Sequence, residues 1–318
     1  MRDYVIRRLL LLPVIVLGVT FLTFLAFRII PGDVCVLRLG LGATPQTVHD
    51  CQVEQGLDKP WYEQYGNWVT GIAEGDFGTS MSEGASPVNT ELDHRLPITI
   101  ELMIMTMIFA VLLGIPPGVL SAIRPGTPLD WITRLSSVVW LSVPSFYLGI
   151  IIITFGSKWF NWTPPQFGRT YVPFMDDPLV NLEEFVFPAL VLAVGIAAPV
   201  MRLTRSAMLE VMRNDYIRTA WSKGLRERTV VWRHGLKNAL IPVVTVVGLQ
   251  IGALISGAVL VESVFNLNGV GKYIVEAIER RDFVVVQSLV FLFAIAYVVA
   301  NLLVDIAYAW LDPRIHYA

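Results

Sequence analysis

Residues 202–237 read RLTRSAMLEVMRNDYIRTAWSKGLRERTVVWRHGLK, a polar and basic run caught between two apolar blocks. Its cations are Arg202, Arg205, Arg213, Arg218, Lys223, Arg226, Arg228, Arg233 and Lys237, against Glu210, Asp215 and Glu227. Short loops beside membrane spans keep Lys and Arg on the cytoplasmic side, because translocation selects against them. The run therefore orients the chain. Its middle is also patterned as a helix: Asp215 is placed to cap, Met212, Tyr216 and Ala220 recur at i, i+4 and i+8, and Gly224 supplies a stop. A patterned helix on the cytoplasmic face reads as a docking surface.

The blocks on either side set the class. Of 318 residues, 54% are apolar and 16% charged, and the mean hydropathy is +0.60, far more apolar than a soluble domain of this length. Crossing roughly 30 Å of hydrocarbon takes about 20 mostly apolar residues. Such runs lie at 9–30, 98–122, 131–159, 185–201, 239–260 and 284–310, so the sequence predicts an all-α membrane protein with six transmembrane helices. Arg2, Arg7 and Arg8 place the N-terminus inside, and six crossings return the C-terminus to the same side. Segment 31–97 holds Arg38, Lys59 and Arg95 against ten acids from Asp33 to Asp93, and 161–184 is also acid-rich, so both belong outside. The net charge of -2 matters less than this asymmetry. The first run is too long for a signal-peptide core and lacks a small-x-small site after Ile30, so it reads as an uncleaved helix.

The expected organisation is a cytoplasmic start and first helix over 1–30, a small extracytoplasmic cap over 31–96, and a five-helix core over 97–318 carrying the basic loop at about 202–238. Within the cap, Thr44 or Thr47 is placed to start a short helix ending near Glu54, and 60–72 sets Trp61, Tyr65 and Trp68 on one face. Gly75-Asp76-Phe77-Gly78 reads as a turn. Cys35 and Cys51 both fall in this external segment, where an oxidising milieu favours a disulfide.

Three spans carry helix-breaking residues: Gly114, Pro116, Pro117 and Gly118 in the second, Ser142-Val143-Pro144-Ser145 in the third, and Pro199 in the fourth. Breaks survive in a bilayer only where protein or water satisfies the freed backbone groups. Ser142, Pro144 and Ser145 are thus candidates for a helix-packing or pathway role. On the fifth span Thr245, Gly248, Gly252 and Ser256 form a small-residue stripe that lets another helix approach, inside the chain or on a second membrane subunit. Gln250 lies off that stripe, at an interface or an aqueous route. The intramembrane charges Glu101, Arg134 and Asp305 each sit near an interface, so no proton relay is expected.

No phosphate loop is present: at Gly269-Val270-Gly271-Lys272, Asn266 replaces the first glycine and Tyr273 the hydroxyl residue, so the chain is not expected to hydrolyse ATP. His49, His94, His234 and His316 are scattered, none in mid-span, which argues against a metal site or an embedded hydrolase.

Arg218-Thr219-Ala220-Trp221-Ser222-Lys223-Gly224-Leu225, followed by Asn238-Ala239-Leu240-Ile241-Pro242, resembles the cytoplasmic EAA loop of ABC importer permeases of the dipeptide/oligopeptide/nickel branch. The resemblance extends along the chain through Arg7-Arg8-Leu9, Pro31-Gly32-Asp33, Gly56-Leu57-Asp58, Gly75-Asp76-Phe77-Gly78, Arg95-Leu96-Pro97-Ile98-Thr99, Val261-Glu262-Ser263-Val264-Phe265, Gly269-Val270-Gly271 and Asp312-Pro313-Arg314. Together these are similar to the first of the paired permeases. Arg218 stands where the general loop pattern has Glu. The resemblance implies a coupling element that includes Asp215, Tyr216, Arg218, Thr219, Ala220, Lys223, Gly224 and Leu225 and sits in a groove of an ATP-binding subunit. It further implies two such subunits, a second homologous permease, an extracytoplasmic binding protein, a peptide substrate and no nucleic acid. ATP and Mg would be used by the partners, with no cofactor bound by this chain. The setting would be the plasma membrane of a prokaryote, the cell inner membrane, with both termini cytoplasmic. Nickel complexes, glutathione and oligosaccharides are alternative cargoes for the same architecture; a secondary carrier or channel is the competing class.

Overall fold

The computed structural model describes residues 2–29, 34–81, 86–164 and 171–311. Pro31-Gly32-Asp33 and Asp312-Pro313-Arg314 lie outside the described residues, as do the side chains of Arg2, Arg7, Arg8, Arg38 and Asp305. Apart from an isolated Thr79–Pro87 bridge, regular structure among the described residues is helical. In chain order it comprises α1 (Arg2–Ile29), α2 (Val34–Leu39), α3 (Pro45–Glu54), α4 (Trp61–Ala73), α5 (Val88–Ile123), α6 (Pro128–Ser142) and α7 (Ser145–Phe160). There follow α8 (Pro178–Val211), α9 (Asp215–Ser222), α10 (Glu227–Thr229), a π-helical stretch (Val230–Leu236) leading into α11 (Lys237–Phe265), α12 (Val270–Glu279) and α13 (Phe283–Leu311).

Among the described residues, four helices are long and apolar enough to cross a membrane: α5, α8, the rod Glu227–Phe265, and α13 over Phe283–Val304. The pair α6 and α7 makes a fifth if it counts as one span, bent by 98°. Proline explains this bend. Pro144 lacks an N–H and disfavours helical geometry in the residue before it, and Val143 is extended at φ -103°, ψ 119°. The breaks expected at Gly114–Gly118 and Pro199 are absent, because α5 and α8 run through them unbroken. The glycines there serve packing instead: a Cβ on Gly114 would lie 2.7 Å from Val200 Cγ1, and one on Gly118 would lie 2.7 Å from the Met201 carbonyl oxygen.

The chain divides into two compact units. The first holds Met1–Val5, Thr99–Leu267 and Val299–Ala318. Its centre is α8, against which α6, α7 and α11 pack. Ala189, Ala193 and Ala197 recur every four residues and are fully buried, which permits close approach, while Phe185, Met201 and Met208 fill the remaining volume. Charges are buried here too. Glu262 is wholly enclosed and accepts a 2.7 Å hydrogen bond from Thr99. Tyr171 donates to Glu101 at 2.6 Å; burial first, and that carboxylate second, raise its phenol above the usual range, so it stays a donor at ordinary pH.

The second unit holds Ile6–Ile98 and Asn268–Val298. A disulfide joins Cys35 to Cys51, whose Cα atoms are 5.9 Å apart. Thr44 caps α3, with its side chain and that of Thr47 each accepting from the other's backbone N–H. On α4, Tyr65 donates to Leu17 O at 3.1 Å and packs edge-on against Phe21, so the aromatic face lies on α1. Asp282, 1% exposed, accepts from Ser80 Oγ at 2.6 Å and Met81 N at 2.8 Å, and caps α13 through Val285 N.

Candidate functional site

The basic run folds as a helical hairpin at the end of α8. Helix α8 closes at Met212, and Asn214, extended at φ -70° and ψ 149°, turns the chain into α9. Asn214 thus holds the cap position expected for Asp215. Asp215 lies in the first helical turn, where its charge suits the helix dipole, and its carboxylate is 3.5 Å from Arg218. Both side chains are exposed, so this pair adds little stability.

The buried face of α9 is Ile217 and Ala220, seated on Val230 with Met212 alongside. Tyr216, at the same spacing as Met212 and Ala220, is 42% exposed. The turn at 213–214 separates Met212 from α9, so only Tyr216 and Ala220 of that spacing share one helix, and Ala220 alone of the two is buried. The Tyr216 hydroxyl instead accepts from Asn238 at 2.9 Å, tying α9 to the start of α11. Beneath lies a second apolar cluster of Val119, Ala122, Ala207, Met208, Val231 and Ala239. It connects the seat of α9 to the ends of α5 and α8. Gly235 lets the π-helical stretch lie close to α8, since a Cβ there would sit 3.1 Å from Met212 Sδ.

Gly224 ends the helix at φ +75°, a left-handed conformation that glycine adopts without strain. Its N–H bonds to Trp221 O at 2.9 Å, and Leu225 N–H reaches back to Ala220 O at 3.4 Å. This is the paired closure of a Schellman motif. The outward face then presents Tyr216, Arg218, Thr219, Trp221, Lys223 and Leu225, all exposed. Short and amphipathic, α9 leaves cations and aromatic edges on its exposed face.

Of the nine basic residues in the run, eight are exposed and Arg205 alone is turned inward. Its Nε lies 2.8 Å from Asp130 Oδ1 and its Nη2 3.2 Å from Oδ2. Asp130, 2% exposed, also accepts from Ser121 Oγ at 2.5 Å and Gly126 N–H at 3.0 Å. Sequence reasoning passed over Asp130. A signal existed in Thr127-Pro128-Leu129-Asp130, a cap, a first-turn proline and a first-turn acid, and Thr127 does accept from Asp130 N–H.

The remaining candidates do not gather around α9. Ser142 is exposed at the end of α6 and donates to Val138 O at 2.9 Å; Pro144 is exposed and Ser145, half-buried, opens α7. Thr245 and Gly252 on α11 are half-buried, as is Gln250, while Ser256 is exposed. Gly248 is buried where a Cβ would collide with Val304 of α13, which assigns it to packing within the chain.

Residues 114–317 match the family described as binding-protein-dependent transport system inner membrane component, and residues 1–103 match its N-terminal counterpart. The dipeptide transport system permease protein DppB of Alkalihalophilus pseudofirmus is 38% identical over 335 residues, covering all of both chains. The oligopeptide transport system permease protein AppB of Bacillus subtilis is 38% identical over 317 residues, and the glutathione transport system permease protein GsiC of Pectobacterium atrosepticum 39% identical over 318, again covering both chains fully.

Proposed function

Because the chain belongs to the family of binding-protein-dependent transport system inner membrane components, we propose that it is a permease subunit of an ATP-driven importer of di- and oligopeptides. What carries the reading is the full-length likeness to peptide permeases combined with a short capped helix, α9, whose apolar face is seated and whose polar face is free. The family is a transport component rather than an ATPase, so ATP and Mg act in partner subunits. Relatives for dipeptides, oligopeptides and glutathione are equally similar, which favours the peptide class over nickel complexes or oligosaccharides.

In this reading the polar face of α9 lies in a groove of one of two ATP-binding subunits. The chain pairs with a second homologous permease and receives substrate from a binding protein on the acid-rich side. Six spans result when α1 is counted and α6 with α7 taken as one, with the 31–96 cap outside and both termini in the cytoplasm of a prokaryotic cell. Closure of the ATPase dimer displaces α9, the bundle opens outward, and hydrolysis resets it.

The test is uptake of a labelled dipeptide by proteoliposomes holding the whole complex, with the binding protein supplied on its own face. Accumulation against a gradient that requires ATP on the opposite face is expected. Equal accumulation by this chain without ATP-binding subunits would make it a secondary carrier.

A further inference from the structure

We propose that Asp130 and Arg205 are positioning residues that carry the movement of α9 into the broken span formed by α6 and α7. The proposal rests on the permease reading and adds a route through this chain. Arg205 sits on the last turns of α8, the helix that leads directly into α9. Asp130 sits in the first turn of α6, whose far end is the 98° bend at Val143 and Pro144. The two side chains are therefore the polar junction between the helix that receives an outside force and the helix that changes direction within the membrane.

The geometry suits transmission. Two guanidinium N–H groups meet the two carboxylate oxygens at 2.8 and 3.2 Å, a forked contact that fixes angle as well as distance. Ser121 on α5 is gripped by the same atoms, donating to Asp130 Oδ1 and accepting from Arg205 Nε at 2.9 Å. Gly126, at φ +79°, turns its N–H onto the other oxygen, fastening the α5–α6 turn. With Asp130 almost fully buried, removing one partner leaves an uncompensated polar group, so sliding α8 past α6 is resisted by more than apolar packing. Apolar side chains alone, as in the Val119, Ala207 and Met208 cluster, slide more readily because their attraction is non-directional. Topology alone does not account for Arg205: eight of its neighbours in the run mark the cytoplasmic face from exposed positions, and this one is spent on a buried carboxylate.

The experiment compares wild type, Asp130→Asn, Arg205→Gln and Arg205→Lys in the complete reconstituted complex. It measures ATP hydrolysis, peptide uptake and complex assembly side by side. For Asp130→Asn and Arg205→Gln, peptide transported per ATP is expected to fall about tenfold or more, a coupling loss within the usual range, while ATP hydrolysis stays within about twofold. Arg205→Lys, which keeps the charge but not the fork, is expected to assemble normally and give an intermediate ratio. If the first two variants fail to assemble, the Lys variant decides. A wild-type ratio of peptide to ATP in any assembled variant overturns the proposal. Absence of ATP-dependent uptake in the wild-type complex would instead overturn the permease reading.

Discussion

Replacing Gly224 with proline is expected to lower ATP-driven uptake about a hundredfold while leaving membrane insertion intact. Proline fixes φ near -65°, whereas Gly224 stands at +75°, and it deletes the N–H that closes onto Trp221 O. A cost of about 3 kcal/mol, set against tenfold per 1.4 kcal/mol, shifts the equilibrium between the closed helix end and its alternatives by about a hundredfold. Nothing lies within 4 Å of an added Cβ at this position, so the penalty is conformational and not steric. That gives a graded series. Gly224→Asn should retain most uptake, since Asn tolerates the left-handed region, and Gly224→Ala should lose an intermediate share, with about 1–2 kcal/mol of strain. Lys223→Glu should also lose uptake, through the docking face and not the fold. Uptake by Gly224→Pro at the wild-type rate would remove α9 from the mechanism.

A second large effect is expected at the crossing of α5 and α8. In Gly118→Val the new Cβ would lie 2.7 Å from the Met201 carbonyl oxygen and 2.8 Å from Thr204 Cβ. The first neighbour is backbone and cannot rotate away, so the helices must separate. Overpacking of this kind costs about 1–3 kcal/mol or more, and the thermal midpoint of the purified complex should fall by about 5 °C or more. Gly66→Ala on α4 provides the contrast, because nothing lies within 4 Å of its Cβ and alanine is the better helix former. Fluorescence melting can follow both, as the chain has nine tryptophans. Equal midpoints for Gly118→Val and wild type would mean that α5 and α8 do not cross this closely.

What the residues revealed in advance was local chemistry. Thr44 at a helix start, Pro144 at a bend and Gly224 at a helix end each act within a few residues, so their effects could be read from the sequence. Pro116 and Pro117 misled for the opposite reason. Their helix continues through them, with Gly114 and Gly118 close against Val200 and Met201 of α8, and nothing adjacent in the chain announces that contact. The spacing of Met212, Tyr216 and Ala220 does not mark one buried face, because a turn separates Met212 from α9 and the Tyr216 ring is held outward at the start of that helix, its hydroxyl bonded to Asn238. The Asp130–Arg205 contact joins residues 75 apart, and Thr99 and Glu262 are 163 apart. Basic residues counted for topology do not show which of them turns inward. Burial of a charge depends on a partner that only the folded bundle supplies.

Central to all of this is the claim that α9 is where an ATP-binding subunit takes hold. Thr219→Cys and Ser222→Cys place a thiol on its exposed face, and Ser142→Cys places one at the exposed end of α6. Both native cysteines are bonded to each other, so the introduced thiol is the free one. Thiol cross-linking in the active complex should join the two α9 positions to the ATP-binding subunits, with a yield that changes when ATP is added, and should give no such product from Ser142→Cys. A complex that imports peptide yet yields no cross-link from either α9 position, or an equal yield from Ser142→Cys, would contradict it.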